Sequence, residues 1–296
     1  MTGEKLSMSD VKIGIIGGSG LYQMEEMTDV EEVAISTPFG DPSDKFIIGT
    51  LADQRVAFLP RHGRGHFISP TALNNQANIW AMKSLGVKYI ISSNACGSLR
   101  EDLAPRHIVI PDQLFDHTRS RDLTFYKRDV VVHPSVEEPF EPGLCDLLYQ
   151  AVKETGATVH KGGTFIIIEG PRFSTKGESN IYRKWGCDII GMTTIPEAFL
   201  AREAEIAYAS MAHVTDYDVW HETEEAVTVE AIIANLNANI EVAKQAIRNL
   251  VVKLVDEPEF PSHHALEAAI ISRRKRSYVP DGTWEKLELF IGKYYS

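Results

Sequence analysis

Cysteine is scarce: three residues in 296, Cys96, Cys145 and Cys187, lie far apart. The odd number and wide spacing argue against a disulfide scaffold and against a cysteine-built zinc site. Positive charge is in deficit as well. Lys+Arg 30 against Asp+Glu 41 leaves a net charge of −11, which disfavours sequence-independent nucleic-acid binding, since that depends on neutralising phosphates. No apolar run approaches the roughly 20 residues of a membrane-spanning helix. The opening MTGEKLSMSD has neither the apolar core nor the cleavage pattern of a secretory signal. A cytoplasmic protein with no membrane partner is expected. Internal repeats and low-complexity segments are also missing. What is present is a 44% hydrophobic content, too high for wholesale disorder, on a chain long enough for two domains of about 150 residues or one large one.

The patterning alternates between strand and helix. Val11–Ile16 is short and β-branched, and it ends at Gly17-Gly18-Ser19-Gly20. Lys45–Gly49, Arg55–Leu59, Tyr89–Ser93, Ile108–Pro111, Thr164–Ile168, Asp188–Ile190 and Ile206–Val214 are further strand candidates. Ser69-Pro70 reads as the start of a helix that closes at Gly86, with Ser as cap and Pro at the first position. Pro142–Gly156, Thr175–Trp185 and Pro196–Glu203 are helix candidates, and 116–141 reads mainly as a long loop. The clearest helix spans 229–254, with Val229, Ile233, Leu236, Ile240, Ala243, Ile247, Leu250 and Leu254 at steps of three and four. Such alternation predicts one α/β domain with a mixed β-sheet flanked by helices.

Several strand ends carry chemistry-bearing residues. The Gly17–Gly20 turn lacks the third glycine of a dinucleotide fingerprint, Gln23 standing in its place, and it lacks the Lys-Ser/Thr of a P-loop. It is either a plain turn or an anion-holding one with exposed amides and the Ser19 hydroxyl. Arg61-His62-Gly63-Arg64-Gly65-His66 offers arginines suited to phosphate, with glycines that let an anion approach the backbone; the alternative is a solvated basic loop. His62 and His66 have no obvious third ligand, so no metal is expected. Asn94-Ala95-Cys96-Gly97-Ser98 is a third small-residue loop, in which Cys96 reads as packing rather than nucleophile. Three such loops together point to a small-anion site, because open α/β sheets collect ligands at strand ends. Glu169–Ser174 brings Phe173, suited to stacking on a flat ligand or to the core. Asp216 and Asp218 are two apart, so in an extended segment they face the same way. Such a pair can accept an amino group and share a proton with a ring nitrogen, or be solvated turn acids.

Taken in order, GIIGGSGLY, TPFGDPSD, RHGRGH, NNQANIWAMKSLG, NACGSLR, EGPRFSTKGES, GMTTIPEAFLAREAEI and TDYD resemble the 5′-methylthioadenosine phosphorylase family, of the trimeric purine nucleoside phosphorylase class, from about residue 11 to 254. Residues 1–10 read as a flexible tail and 256–296 as a partly helical extension, and the resemblance between them implies a nucleoside phosphorylase domain over 11–255. It implies a homotrimer that splits methylthioadenosine with inorganic phosphate as co-substrate, needing no metal or organic cofactor. It assigns Ser19, Arg61, His62, Asn94, Ala95 and Thr193 to phosphate, Phe173, Ser174 and Met192 to base and ribose, and Asp216 and Asp218 to adenine. Val229 and Ile232 would face the methylthio group, and His133 would be lent to the neighbouring subunit's site. Better-known members carry Ser or Thr at position 94, and the Arg273–Arg276 cluster falls outside the resemblance, where a solvated helix face is expected. A phosphorylase of 6-oxopurine or broader purine nucleosides is the alternative enzyme, although two carboxylates suit a 6-amino group better. A nucleoside-binding protein without catalysis would have no need of a phosphate site.

Overall fold

The computed structural model describes residues 11–18, 20–21, 24–221 and 229–296, apart from the side chains of 229, 231, 232 and 236. The strands are β1 (Ile13–Gly17), β2 (Thr28–Val33), β3 (Phe46–Leu51), β4 (Gln54–Pro60), β5 (Tyr89–Ser98), β6 (Ile108–Ile110), β7 (Gln113–His117), β8 (Val159–Lys161), β9 (Thr164–Ile168), β10 (Ile189–Gly191) and β11 (Ala207–Asp216). Around them lie helices α1 (Asn75–Ser84), α2 (Pro142–Lys153), α3 (Lys176–Lys184), α4 (Thr194–Glu203), α5 (Val229–Ala238), α6 (Ile240–Lys253) and α7 (Asp281–Ile291). The expected mixed sheet is present, in one path β2-β3-β4-β1-β5-β10-β9-β7, with β11, β6 and β8 branching from β5. All five residues of β1 are buried, as befits a strand covered on both faces.

The branch at β5 positions the site. β11 runs parallel along one edge of β5 from Tyr89 to Gly97. On the other edge β1 pairs with residues 89–92 and stops, while β10 pairs antiparallel with Gly97 and Ser98. Between them, residues 93–96 have no strand partner on that edge among the described residues, and the sheet opens there.

Several local expectations change. β5 continues through 94–98 instead of ending at Ser93, because β11 supplies a ladder for those small residues. β2 and β7 were not expected as strands. Both are sheet margins with charged or exposed residues, TDVEEV and QLFDH, and margins are where apolar patterning is least needed. Ser69-Pro70 opens only a 3₁₀ turn; α1 starts after Asn74, whose side chain accepts from the Ala77 N–H. The single helix 229–254 divides at Asn239, which donates its amide to the Arg106 carbonyl at 3.3 Å. The apolar spacing runs straight through that break and so conceals it. The 1–10 tail lies outside the described residues.

Residues 256–296 pack on the core. Leu266, Ile270, Leu287, Phe290 and Ile291 are buried in the main apolar cluster, and Phe290 meets Phe125 at 4.5 Å between ring centroids. The basic cluster is not a solvated helix face. Arg273, Arg274 and Arg276 lie over Tyr278, Tyr294 and Trp284, and Arg276 pairs with Asp281, so these cations hold parts of the extension to one another. Phe290→Ala should therefore destabilise the fold by about 3–5 kcal/mol, read from urea unfolding. A loss below about 1 kcal/mol would show that the extension is not part of this core.

Candidate active site

A cavity of about 770 Å³ opens at the gap beside β5. Its walls come from the ends of β1 and β4 (Gly18, Arg61, His62), from β5 (Ser93, Ala95), from the turn after β9 (Phe173, Ser174), from the end of β10 (Met192, Thr193), from β11 and its exit (His213, Thr215, Asp216, Asp218) and from α5 and α6 (Ile233, Ile240). One chain thus brings together most of the residues singled out by sequence.

Arg61 anchors this arrangement. It is 3% exposed, and its Nε donates to Glu197 Oε1 at 2.5 Å while Nη2 reaches Glu197 Oε2 at 3.2 Å and Ser92 Oγ at 2.6 Å. Nη1 donates to the Ser93 carbonyl at 2.9 Å, serving the β5 edge that no strand covers. The planar fork expected to grip phosphate is therefore turned on a buried carboxylate, and Arg61 meets the cavity from behind. Burial alone would lower its pKa, but Glu197 beside it raises it. Glu197 also accepts from Tyr208 Oη at 2.9 Å and Ser92 Oγ at 3.0 Å. Because Ser92 gives its one proton to that carboxylate, Asn94 must donate to Ser92. The Asn94 amide then donates to Ser210 as well, and its oxygen accepts from Thr193 Oγ1 at 2.8 Å. Asn94 is 2% exposed and its side chain belongs to this network, not to the cavity wall.

The other basic group is kept neutral. His62 Nδ1–H donates to the Ile68 carbonyl at 2.8 Å, and burial, helped by Arg61, lowers its pKa to about 4. Arg64 is not free in solvent: it pairs with Glu32 and Asp44. At the opposite end, burial raises the pKa of both Asp216 and Asp218. Asp216 accepts from Thr215 Oγ1 at 2.7 Å and from the Asp218 N–H at 2.8 Å. The segment is not extended, since β11 bulges between Val214 and Asp216 and Asp218 has φ +50°. The turn nevertheless leaves both carboxylates on the cavity, with Asp218 Oδ2 and Ser174 Oγ buried and without a hydrogen-bond partner among the described residues. Unpaired buried polar atoms on one wall are what a hydrogen-bonding ligand would satisfy.

Other assignments fall elsewhere. His133 is exposed, does not line the cavity, and gives its backbone N–H to the Ala269 carbonyl. Ser19 and the side chains of Val229 and Ile232 lie outside the described residues. Ile233, Leu21, Ile240 and Ala243 supply apolar lining of the cavity. Sequence reasoning missed Glu197, Ser93 and His213. Glu197 and His213 were detectable as polar residues inside apolar runs, TIPEAFL and ASMAHV, whereas Ser93, between Ser92 and Asn94, carried no such signal. Among the described residues no group of three or more His, Cys, Asp or Glu is placed to hold a metal ion.

Residues 12–255 match the phosphorylase superfamily. The S-methyl-5′-thioadenosine phosphorylase of Chloroflexus aurantiacus is 51% identical over 290 residues, covering 98% of this chain and 100% of its own length. That of Geobacter sulfurreducens is 52% identical over 283 residues, covering 95% and 98%. A solved methylthioadenosine phosphorylase from an Antarctic soil metagenomic library superposes with a TM-score of 0.91 at 43% identity, over 95% of this chain and 99% of the other. The Schistosoma mansoni enzyme, solved with adenine, gives 0.83 at 36%, over 88% and 99%.

Glu197→Gln leaves a buried guanidinium without its counter-charge and should cost about 3–5 kcal/mol of stability in urea unfolding. A cost under about 1 kcal/mol would contradict the role given to the pair.

Proposed function

The chain belongs to the phosphorylase superfamily and, within it, to the methylthioadenosine phosphorylases, and on that footing we propose that it splits 5′-methylthioadenosine with inorganic phosphate into adenine and 5-methylthioribose 1-phosphate. The observation that carries this reading is the polarity of one cavity. Two carboxylates biased toward protonation stand at one end, and the Arg61 corner, the exposed Ala95 and Thr193 stand at the other.

The chemistry follows from that layout. As the C1′–N9 bond lengthens, positive charge grows on the ribose and negative charge on the base. A phosphate oxygen attacks C1′, and the bonding pair leaves with N9. A proton delivered to N7 turns the leaving group into neutral adenine. Asp216 is the proposed donor, since burial keeps its proton on to higher pH than usual. Asp218 Oδ2 is free to accept from the 6-amino group. The phosphate corner contributes position and charge stabilisation without covalent chemistry; Ser19, Arg61, His62, Ala95 and Thr193 are the residues proposed for it, His62 as an acceptor at Nε2 for the phosphate hydroxyl and Thr193 through its backbone, since its own hydroxyl donates to Asn94. Phe173, Ser174 and Met192 would meet base and ribose. Val229 and Ile232, in the first turn of α5, would face the methylthio group, whose burial is worth about 25 cal/mol per Å², whereas a 5′-hydroxyl would lose water without a partner.

The reading uses phosphate as co-substrate and calls for no metal or organic cofactor. It includes a homotrimer, in which the exposed His133 would be lent to a neighbour's cavity, and a cytoplasmic location. No described helix is long and apolar enough to cross a membrane.

Product assays across methylthioadenosine, adenosine, methylthioinosine and inosine, each with and without phosphate, test the reaction. Adenine should appear from methylthioadenosine fastest and only with phosphate; equal release without phosphate would make water the nucleophile. Asp216→Asn should lower kcat/KM about 10²–10⁴-fold. The wild-type kcat/KM should fall on the alkaline side as Asp216 loses its proton, a limb absent from the variant. Unchanged turnover in Asp216→Asn would remove this carboxylate from the mechanism.

A further inference from the structure

We propose that the Ser93 hydroxyl donates a hydrogen bond to the attacking phosphate, and that His213 is the positioning residue that holds the hydroxyl in that orientation. The inference rests on the phosphorolytic reading above.

Strand geometry sorts the residues of β5 by face. Ser92 and Asn94 turn into the Arg61–Glu197 network. Ser93 and Ala95, one step out of phase, share the opposite face and line the cavity. His213 on β11 is in register with Ala95, so its ring stands diagonally across from Ser93 on that same face. The two side chains meet, His213 Nε2 to Ser93 Oγ, at 3.1 Å.

The direction of this hydrogen bond decides what Ser93 can do. His213 is 1% exposed, and burial drops its pKa to about 4, so the ring is neutral near pH 7 and carries a single N–H. Its Nδ1 is buried with no partner among the described residues. A proton there would be an orphaned donor, which folded proteins tolerate less readily than an under-satisfied acceptor. The proton therefore sits on Nε2, and His213 donates to Ser93 Oγ. Ser93 then has its own proton to give. No other described side chain bonds its Oγ, and its carbonyl is already held by Arg61. Were the tautomer reversed, Ser93 would spend its proton on His213 and turn only lone pairs toward an anion. The hydroxyl lies on the wall between the Arg61 corner and Ala95, where an oxyanion is the natural acceptor.

The test is steady-state kinetics with each substrate varied against saturating amounts of the other, on folded variants checked by thermal melting. Ser93→Ala should raise the KM for phosphate about ten- to a hundredfold, the loss of a hydrogen bond to a charged group, and leave the KM for methylthioadenosine within twofold. Ser93→Thr, which keeps the hydroxyl, should restore it. His213→Gln places an amide N–H near the Nε2 position and should behave like wild type. His213→Asn is too short to reach Ser93 and should reproduce the phosphate defect. Ser93→Ala combined with His213→Asn should be no worse than Ser93→Ala alone, because both remove one contact. An unchanged phosphate KM in Ser93→Ala overturns the proposal, as does a rise confined to the nucleoside KM, which would send the hydroxyl to the ribose. Wild-type adenine release that needs no phosphate is a separate outcome and would overturn the phosphorolytic reading itself.

Discussion

A single buried ion pair joins the parts of this molecule that meet at the cavity. Arg61 follows β4, and its guanidinium reaches the Ile16 carbonyl of β1, Ser92 and Ser93 of β5, and Glu197 of α4; Tyr208 of β11 completes the carboxylate's shell. Such a pair adds little to stability relative to an apolar core, since desolvation opposes the attraction. Its effect is geometric. An arginine fork meeting a carboxylate fixes both partners in one plane, and here that plane sets the spacing of four strands and a helix at the point where the sheet opens.

The opening itself follows from strand lengths. β1 ends at Gly17 while β5 runs on to Ser98, and β10 joins β5 only at its last residues. The uncovered stretch exposes a backbone edge that would be unsatisfied if Arg61 did not take the Ser93 carbonyl. Period-two alternation then divides the labour: one face of β5 carries the network that holds the cation, and the other faces the cavity. Charge is distributed in the same spirit. Burial keeps His62 and His213 neutral and raises the pKa of Asp216 and Asp218 from the ordinary aspartate value. A dianion entering this site meets Ser93, Ala95 and Thr193 in front of the Arg61–Glu197 pair, and a purine meets acids inclined to keep a proton.

Much of this was legible in the amino-acid sequence. The strand-end glycines, the Arg61–His66 segment and the Asp216–Asp218 pair pointed to an anion beside a hydrogen-bonding ring, and the ordered motifs pointed to one family. What escaped did so for physical reasons. Arg61 looked like a free phosphate clamp because its partner, Glu197, is 136 positions away. Ser93 and His213, 120 apart, are joined only by the parallel register of β5 and β11, which no local pattern encodes. β2 and β7 lie at the margins of the sheet and carry little apolar signal. The break at Asn239 leaves the helical spacing undisturbed, and the Arg273–Arg276 cluster showed its charge without the aromatic rings beneath it.

The central claim is that phosphate, held at the Arg61 corner, is itself the nucleophile. The most direct measurement follows oxygen from phosphate labelled with ¹⁸O at all four positions through one round of adenine release from methylthioadenosine, reading the sugar phosphate by ³¹P NMR and mass. The account predicts that all four labels stay with phosphorus, including the oxygen bridging to C1′, and that free methylthioribose does not accumulate. A bridging oxygen derived from water, or release of unphosphorylated methylthioribose at the same rate as adenine, would contradict it.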